Sequence, residues 1–389
     1  MPMQRRDFLK FCAATPFALR TSLAFSEPSA PQRYLVLIEF NGGNDGLNTV
    51  IPYADARYHA LRPNIAVARD QIVQLDERVG LHSALAPLLP LWNAKQLGIV
   101  QAVGYPQPNR SHFRSIEIWD TGSDADEYLD SGWLARALPH SGVTQDFTAD
   151  AVVIGRNPQP VMGNYMRTLV VEDVDNFAKK GEKLRDIAVS TPNRALAHVL
   201  DVQSEVHAAA QKLMTAAEDA PAPQADFPRT PFGHSLEQAA RLILMNHATP
   251  VIKVALGSFD THAQQRNQQD RLLGEFATGL IAFQTAMQRA GAWNRVLMFT
   301  YSEFGRRVAE NASHGTDHGT AAPMFVFGPA VKGGVYGDHP SLRPADLDQG
   351  DLKFHTDFRS VYSTILSGWL KADSAKILGA NFKTLTLLG

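Results

Sequence analysis

Five clusters of polar side chains in this 389-residue chain have the composition of a reactive site. Asn311–Gly319 reads Asn-Ala-Ser-His-Gly-Thr-Asp-His-Gly and runs into the apolar stretch Met324 to Phe327. Just upstream, apolar Val296 to Tyr301 empties into Ser302-Glu303-Phe304-Gly305-Arg306. Val251 to Leu256 leads into Asp260-Thr261-His262, and Tyr34 to Phe40 leads into a turn-rich loop with Asp45. Ser111-His112 forms the fifth cluster. Carboxylate plus neutral imidazole is ligand chemistry for a divalent cation. The candidate metal ligands are therefore Asp45, Asp260, His262, Glu303, Asp317 and His318.

Ser111 stands where a helix is expected to begin. An N-cap hydroxyl there lies beside free backbone N–H groups that can receive a phosphate-like oxyanion. Ser111 is the candidate nucleophile, with His112 beside it, and Arg306 could grip anionic substrate oxygens in bidentate fashion. Plainer roles exist for each. Asp45 and Asp317-His318 suit ordinary turns, and Asp260-His262 suits a cap. Glu303 suits an ion pair with Arg306 or Arg307, and Ser111 a simple helix cap. Their co-occurrence carries the argument, because parallel strands bring the loops at their carboxyl ends to one edge of a sheet.

The elements needed for this are legible. Tyr34 to Phe40 is a continuous apolar run with one Glu, as a buried parallel strand reads. Further strands are expected at 97–103, 151–154, 168–171, 251–256, 296–301 and 324–327. Helices are expected at 81–96, irregular because of its two prolines, and at 111–119, 195–217 and 234–247. A long helix should follow His262, with Leu272, Leu273, Phe276, Leu280, Phe283 and Met287 on one face. A final amphipathic helix should carry Phe358, Val361, Tyr362, Ile365, Leu366, Trp369 and Leu370. Residues 218–233 hold four prolines and read as a long loop. Strands alternating with helices predict an α/β fold, a mainly parallel sheet with helices on both faces.

Residues 1–26 read as a twin-arginine signal, with Arg5-Arg6 before a weak apolar segment and small residues preceding Glu27. The expected products are a single α/β domain over 27–389 and a periplasmic or extracellular location, reached through the twin-arginine export machinery. The sole cysteine, Cys12, falls in that signal, so disulfides and thiolate sites are not expected in the mature part. The same 26 residues hold Arg5, Arg6, Lys10 and Arg20 against Asp7. Their loss takes the formal charge from −2 to about −5, which argues against nucleic-acid binding. No stretch of the mature part is long and apolar enough to predict a membrane span.

The motifs Phe40-Asn-Gly-Gly-Asn-Asp-Gly-Leu-Asn48, Arg110-Ser-His-Phe113, Phe259-Asp-Thr-His262, Ser302-Glu-Phe-Gly-Arg306 and Gly315-Thr-Asp-His-Gly319 resemble the exported bacterial family of domain of unknown function 1501. That family is similar to the alkaline phosphatase and sulfatase superfamily. The resemblance implies an alkaline-phosphatase-like fold and a two-metal site for phosphate or sulfate esters. Asp45 then resembles the first-strand metal ligand, Ser111 the nucleophile, Asp260 and His262 one metal's pair, and His318 the last metal histidine. Phe304 departs from the pattern, standing where a ligand histidine is expected beside Glu303. His112, His314 or Asp317 could make up the missing ligand. No Cys or Ser lies in a sulfatase modification context, which argues against a formylglycine sulfatase.

The resulting expectation is an exported hydrolase of phosphate or related esters, dependent on one or two divalent ions (Zn, Mn, Mg or Ca). Its substrate would be an anionic ester or glycan. The alternative is a non-catalytic protein that binds an anionic glycan or an assembly partner through a degenerate metal site. The export reading is tested by replacing Arg5 and Arg6 with Lys. Unprocessed precursor should accumulate in the cytoplasm on fractionation, and normal processing would remove the twin-arginine assignment.

Overall fold

Tyr34–Phe40 forms strand β1, and all seven residues are buried. A computed structural model describes residues 32–141, 147–164, 166–181, 183–184 and 191–389. The expected signal segment, with Cys12, lies outside the described residues. The further strands are β2 (Val50–Ile51), β3 (Ile72–Gln74), β4 (Gly80–His82), β5 (Leu97–Gly104), β6 (Ala151–Ile154) and β7 (Thr168–Val171). They continue with β8 (Val251–Leu256), β9 (Val296–Tyr301), β10 (Ala322–Phe327), β11 (Gly334–Tyr336) and β12 (Thr356–Asp357).

The large sheet runs β11-β5-β10-β9-β1-β8-β6-β7, with β12 also paired to β5. All the strands expected from the apolar runs lie in it. β1 is parallel to β8 and β9, and β6 is parallel to β7 and β8. β10 departs from this, pairing antiparallel with both β5 and β9. An apolar run does not encode its own direction, so this reversal was not visible in the sequence. β2, β4 and β3 form a small antiparallel sheet.

The period of two along a strand divides the core into two layers. Tyr34, Val36, Ile38 and Phe40 face one layer, with Phe276 and Leu280 of helix Gln265–Arg289 and Leu236 of helix Pro231–Leu244. Leu35 and Leu37 face the other, with Trp133 and with Phe358 and Tyr362 of helix Phe358–Ile365. The sheet is thus covered by helices on both faces. The last helix continues through one π turn, Leu366–Leu370, and its seven expected apolar positions are all buried.

Local chemistry explains the shifted boundaries. Residues 81–96 break into the end of β4, a 3-10 segment Ser83–Leu88 and a short helix Leu89–Asn93. Pro87 sits inside the 3-10 segment, and Pro90 near the helix start, where a missing N–H is tolerated. The long proline-rich loop is shorter than expected. Helix Arg194–Asp219 runs past Glu218, and Pro231 opens the next helix, capped by Thr230 Oγ1 accepting from Gly233 N at 3.1 Å.

One polar pair is buried within the sheet. Lys253 of β8 donates to Glu39 of β1 and to the carbonyl of Asn157 at 2.9 Å. Below it, Asp120 accepts from Tyr301 Oη at 3.0 Å and Asn157 Nδ2 at 2.8 Å. Burial pushes the Asp120 carboxyl up to about 7. Residues Gln32–Gly389 cluster into one compact unit, and among the described residues no helix is long and apolar enough to cross a membrane.

Candidate metal centre

The reversal of β10 decides where the site forms. Loops leaving β1, β5, β8 and β9 emerge at the carboxyl edge of the sheet. Because β10 runs the other way, its entering loop, with Asp317 and His318, reaches the same edge. An antiparallel bridge between Arg306 and His318 joins the β9 and β10 loops there.

Among the described residues, His112, Asp260 and His318 offer ligand atoms that all lie within 4.8 Å of one another. His112 Nε2 is 3.4 Å from Asp260 Oδ2. His318 Nε2 and His262 Nε2 lie 3.1 and 3.0 Å from Asp260 Oδ1, and 3.0 Å from each other. Each imidazole is held at its other nitrogen by an oxygen. His112 Nδ1 meets Glu303 Oε1 at 2.8 Å, His262 Nδ1 meets Asp317 Oδ1 at 3.4 Å, and His318 Nδ1 meets the Arg110 carbonyl at 2.9 Å. An acceptor at Nδ1 selects the Nδ1–H tautomer and leaves the Nε2 lone pair free. In that tautomer three lone pairs face one carboxylate; without a cation, a proton must bridge Asp260 to the rings, as in its hydrogen bond with His318. Such a set of acceptors needs protons or a cation between them. Ligands at about 2.0–2.1 Å around a tetrahedral zinc are separated by roughly 3.3 Å; His112, Asp260 and His318 form a group that could hold such an ion, and His262 borders it through Asp260 and His318.

Phe304 adjoins this constellation. Its buried ring packs against His112 and His318, with centroids 4.9 and 4.5 Å away. Two glycines of the β1 loop let its backbone lie against Asp260 and against the Phe304 ring. Gly42 has φ +114°, and a Cβ there would meet Asp260 N at 2.4 Å. Gly43 has φ +81°, and its Cβ would lie 2.5 Å from Phe304 Cε2.

Several expected residues take other places. Asp45 is fully buried, pairs with Arg62 at 2.6 Å and accepts from Gln265 and from Leu47 N. The structure does not bring it into the imidazole group. Arg306, expected as a substrate grip, has a fully buried side chain whose donors are turned to protein acceptors. It donates to the carbonyls of Gly42, Gly43, Phe259 and Thr316 and, at 2.7 Å, to Asp260 Oδ1. Glu303 pairs with His112 and accepts from Gly42 N at 2.8 Å, rather than meeting Arg306 or Arg307. Asp317 supports His262 from behind, and Asn311 Nδ2 holds Asp317 at 3.1 Å. His314 faces a different hollow, beside Asn64 and Arg266. Ser111 is exposed at the N-cap of helix His112–Thr121, and its hydroxyl caps no N–H of that helix. Its neighbours on both sides touch the cluster, Arg110 by its carbonyl and His112 by its ring. A larger open hollow of about 680 Å³, near Arg57, Arg78 and His339, shares no residue with the cluster.

The supporting roles of Asn311, Arg62 and the Arg110 carbonyl were not read from the sequence. A backbone carbonyl leaves no residue-type signal. Arg62 follows a short helix with no motif around it.

The family described as protein of unknown function (DUF1501) matches residues 78–368. The chain belongs to this family. No curated protein matches it. Among solved structures it is similar to Ps i-CgsB, at 10% identity over 90% of this chain and 75% of that one, with a TM-score of 0.41. It is similar to the PsFucS1 sulfatase from Pseudoalteromonas sp., at 9% identity over 92% and 71% of the two chains, with a TM-score of 0.39. It is also similar to alkaline phosphatase from the Antarctic bacterium TAB5, at 11% identity over 78% and 95%, with a TM-score of 0.34.

In this DUF1501 chain the charges around the cluster reinforce one another. Burial opposes ionisation of Asp260, but the hydrogen bonds from Arg306 and His318 outweigh it and hold the carboxyl at about 2. The hydrogen bond from Asn311 lowers Asp317. The hydrogen bond to Glu303 raises His112 above 6.5, against burial, and the charges of Glu303 and Asp260 add to the rise.

Two outcomes are expected. Arg306→Lys should destabilise the protein by about 3–5 kcal/mol in urea unfolding, because a lysine cannot serve five acceptors from a buried position. Native stability with a raised KM for an anionic ester would instead show a substrate grip. In metal-free protein, the stabilisation from protonated His112 should be complete below the ordinary 6.5 and lost as pH rises through its higher folded value. Glu303→Gln should move the His112 titration, followed by NMR, down toward 6.5; an unchanged midpoint would contradict this account.

Proposed function

We propose that this chain is an exported, metal-dependent hydrolase of phosphate or related esters, with Ser111 as nucleophile. The observation that carries the reading is the convergence of three imidazole Nε2 atoms, each ring pinned at Nδ1, on Asp260. His112, Asp260, His262 and His318 would hold the ion. Glu303 and Asp317 would orient two of the rings. Imidazole donors suit zinc better than magnesium, calcium or manganese. One ligand group among the described residues, with Phe304 beside it, favours one ion over two.

A bound divalent ion would polarise an ester oxygen and lower the pKa of a nearby hydroxyl. Ser111 Oγ would attack the phosphorus or sulfur centre, the bond to the leaving oxygen would break, and water would later cleave the seryl ester. Ser111 is exposed and free of any capping bond, as an attacking hydroxyl must be. Asn109 Oδ1 accepts from Ser111 N at 2.8 Å and fixes its backbone. The helix that starts at His112 directs its positive end toward an oxyanion at Ser111. That end would replace the arginine grip that Arg306 does not supply. Substrates are anionic esters, with an anionic glycan ester as the class favoured by the pocket described below.

Two observations favour the non-catalytic reading, in which the site binds an anionic glycan without turnover. Phe304 stands where the family resemblance leads one to expect a ligand histidine, and Arg306 is turned inward.

Ser111→Ala should abolish ester hydrolysis. It should cost less than the about 0.5–2 kcal/mol of a lost cap, since no capping bond exists. His318→Ala should lower bound metal and turnover together, read by elemental analysis and phosphate or sulfate release. Full turnover in Ser111→Ala would remove the serine from the mechanism. No turnover of monoesters or diesters with any divalent metal would favour the binder.

A further inference from the structure

Phe304 has a second contact that the metal centre does not use. Besides packing on His112 and His318, it lines a pocket of about 250 Å³. The pocket therefore begins one ring away from the imidazoles. Tyr105, Leu352 and Phe354 form further walls. Gln107, Asp348 and Lys353, all exposed, stand at its mouth. Gly104 makes room for it, since a Cβ there would meet Phe354 Cβ at 2.8 Å.

The pocket is tied to the candidate nucleophile. Asn109 N donates to Tyr105 Oη at 3.1 Å, while Asn109 Oδ1 accepts from Ser111 N at 2.8 Å. One asparagine thus joins a pocket wall to the residue before His112. The opposite wall is anchored too. Buried Asp351 takes Arg110 and, at 3.2 Å, Arg307 Nε, which holds the 348–354 loop beside the site.

Flat apolar walls with donors and acceptors at the mouth match a ring that has an apolar face and a hydroxyl-bearing edge. We infer that this pocket holds a pyranose ring, the alcohol part of the ester whose anionic group sits at the imidazoles. Only the placement of that anionic group rests on the hydrolase reading. Aromatic C–H contact would come from the partly exposed Phe354, and hydroxyl contacts from Asp348 and Gln107. Lys353 would face a second anionic substituent on the ring.

The test is saturation-transfer NMR on the full chain, with a panel of neutral methyl pyranosides and phenol as separate probes at millimolar concentration. Transfer to the ring C–H protons of at least one pyranoside is expected in the wild type and in His318→Ala. Phe354→Ala and Asp348→Ala should weaken it by roughly threefold or more, the scale of one lost contact. Asp348 is exposed, so its variant keeps the fold if Phe354→Ala does not. No transfer to any pyranoside, equal transfer in both pocket variants, or transfer to phenol alone would overturn the inference. Ester hydrolysis without pyranoside transfer would remove the pocket assignment and leave the hydrolase. Pyranoside transfer without hydrolysis of any ester would do the reverse.

Discussion

One buried guanidinium holds the edge of this sheet together. Arg306 follows β9, yet its donors reach the β1 loop at Gly42 and Gly43, the β8 loop at Phe259 and Asp260, and the β10 loop at Thr316. Three other loops thus meet on one side chain. A charge so deeply buried is costly unless every donor is used. The carbonyls and the Asp260 carboxylate meet that demand. Asp260 is thereby held ionised and aimed outward, toward the imidazoles. The positions of the site carboxylate and the loop backbones follow from this single group.

Around Asp260 the imidazoles are arranged from the outside in. Glu303, Asp317 and the Arg110 carbonyl each take one Nδ1, so rotation of the rings is restrained. Phe304 adds an apolar wall beside His112 and His318, which touch each other with centroids 4.4 Å apart. Phe304 also gives the site two sides: clustered imidazoles with a carboxylate on one and an apolar pocket on the other. A substrate with an anionic group and a ring would span both.

The strands were legible because each is a buried apolar run. The amphipathic helices were legible because their apolar faces recur at helical spacing. The direction of β10 was not, since antiparallel and parallel buried strands share the same composition. Asp260, His262 and His318 could be found because acids and imidazoles clustered near strand ends. Asp45 carried the same signal and proved to be the partner of Arg62, because ion pairing and metal ligation use the same carboxylate. Arg306 looked like a substrate contact for a related reason. Its role depends on burial, and burial is set by loops that meet only in the folded chain.

The central claim is that the converging imidazoles hold one divalent ion. X-ray absorption on the zinc-loaded full chain tests it most directly. The account predicts at least two imidazole shells with nitrogen at about 2.0–2.1 Å, reduced in His318→Ala. A bound zinc with oxygen neighbours alone, unchanged in that variant, would contradict it.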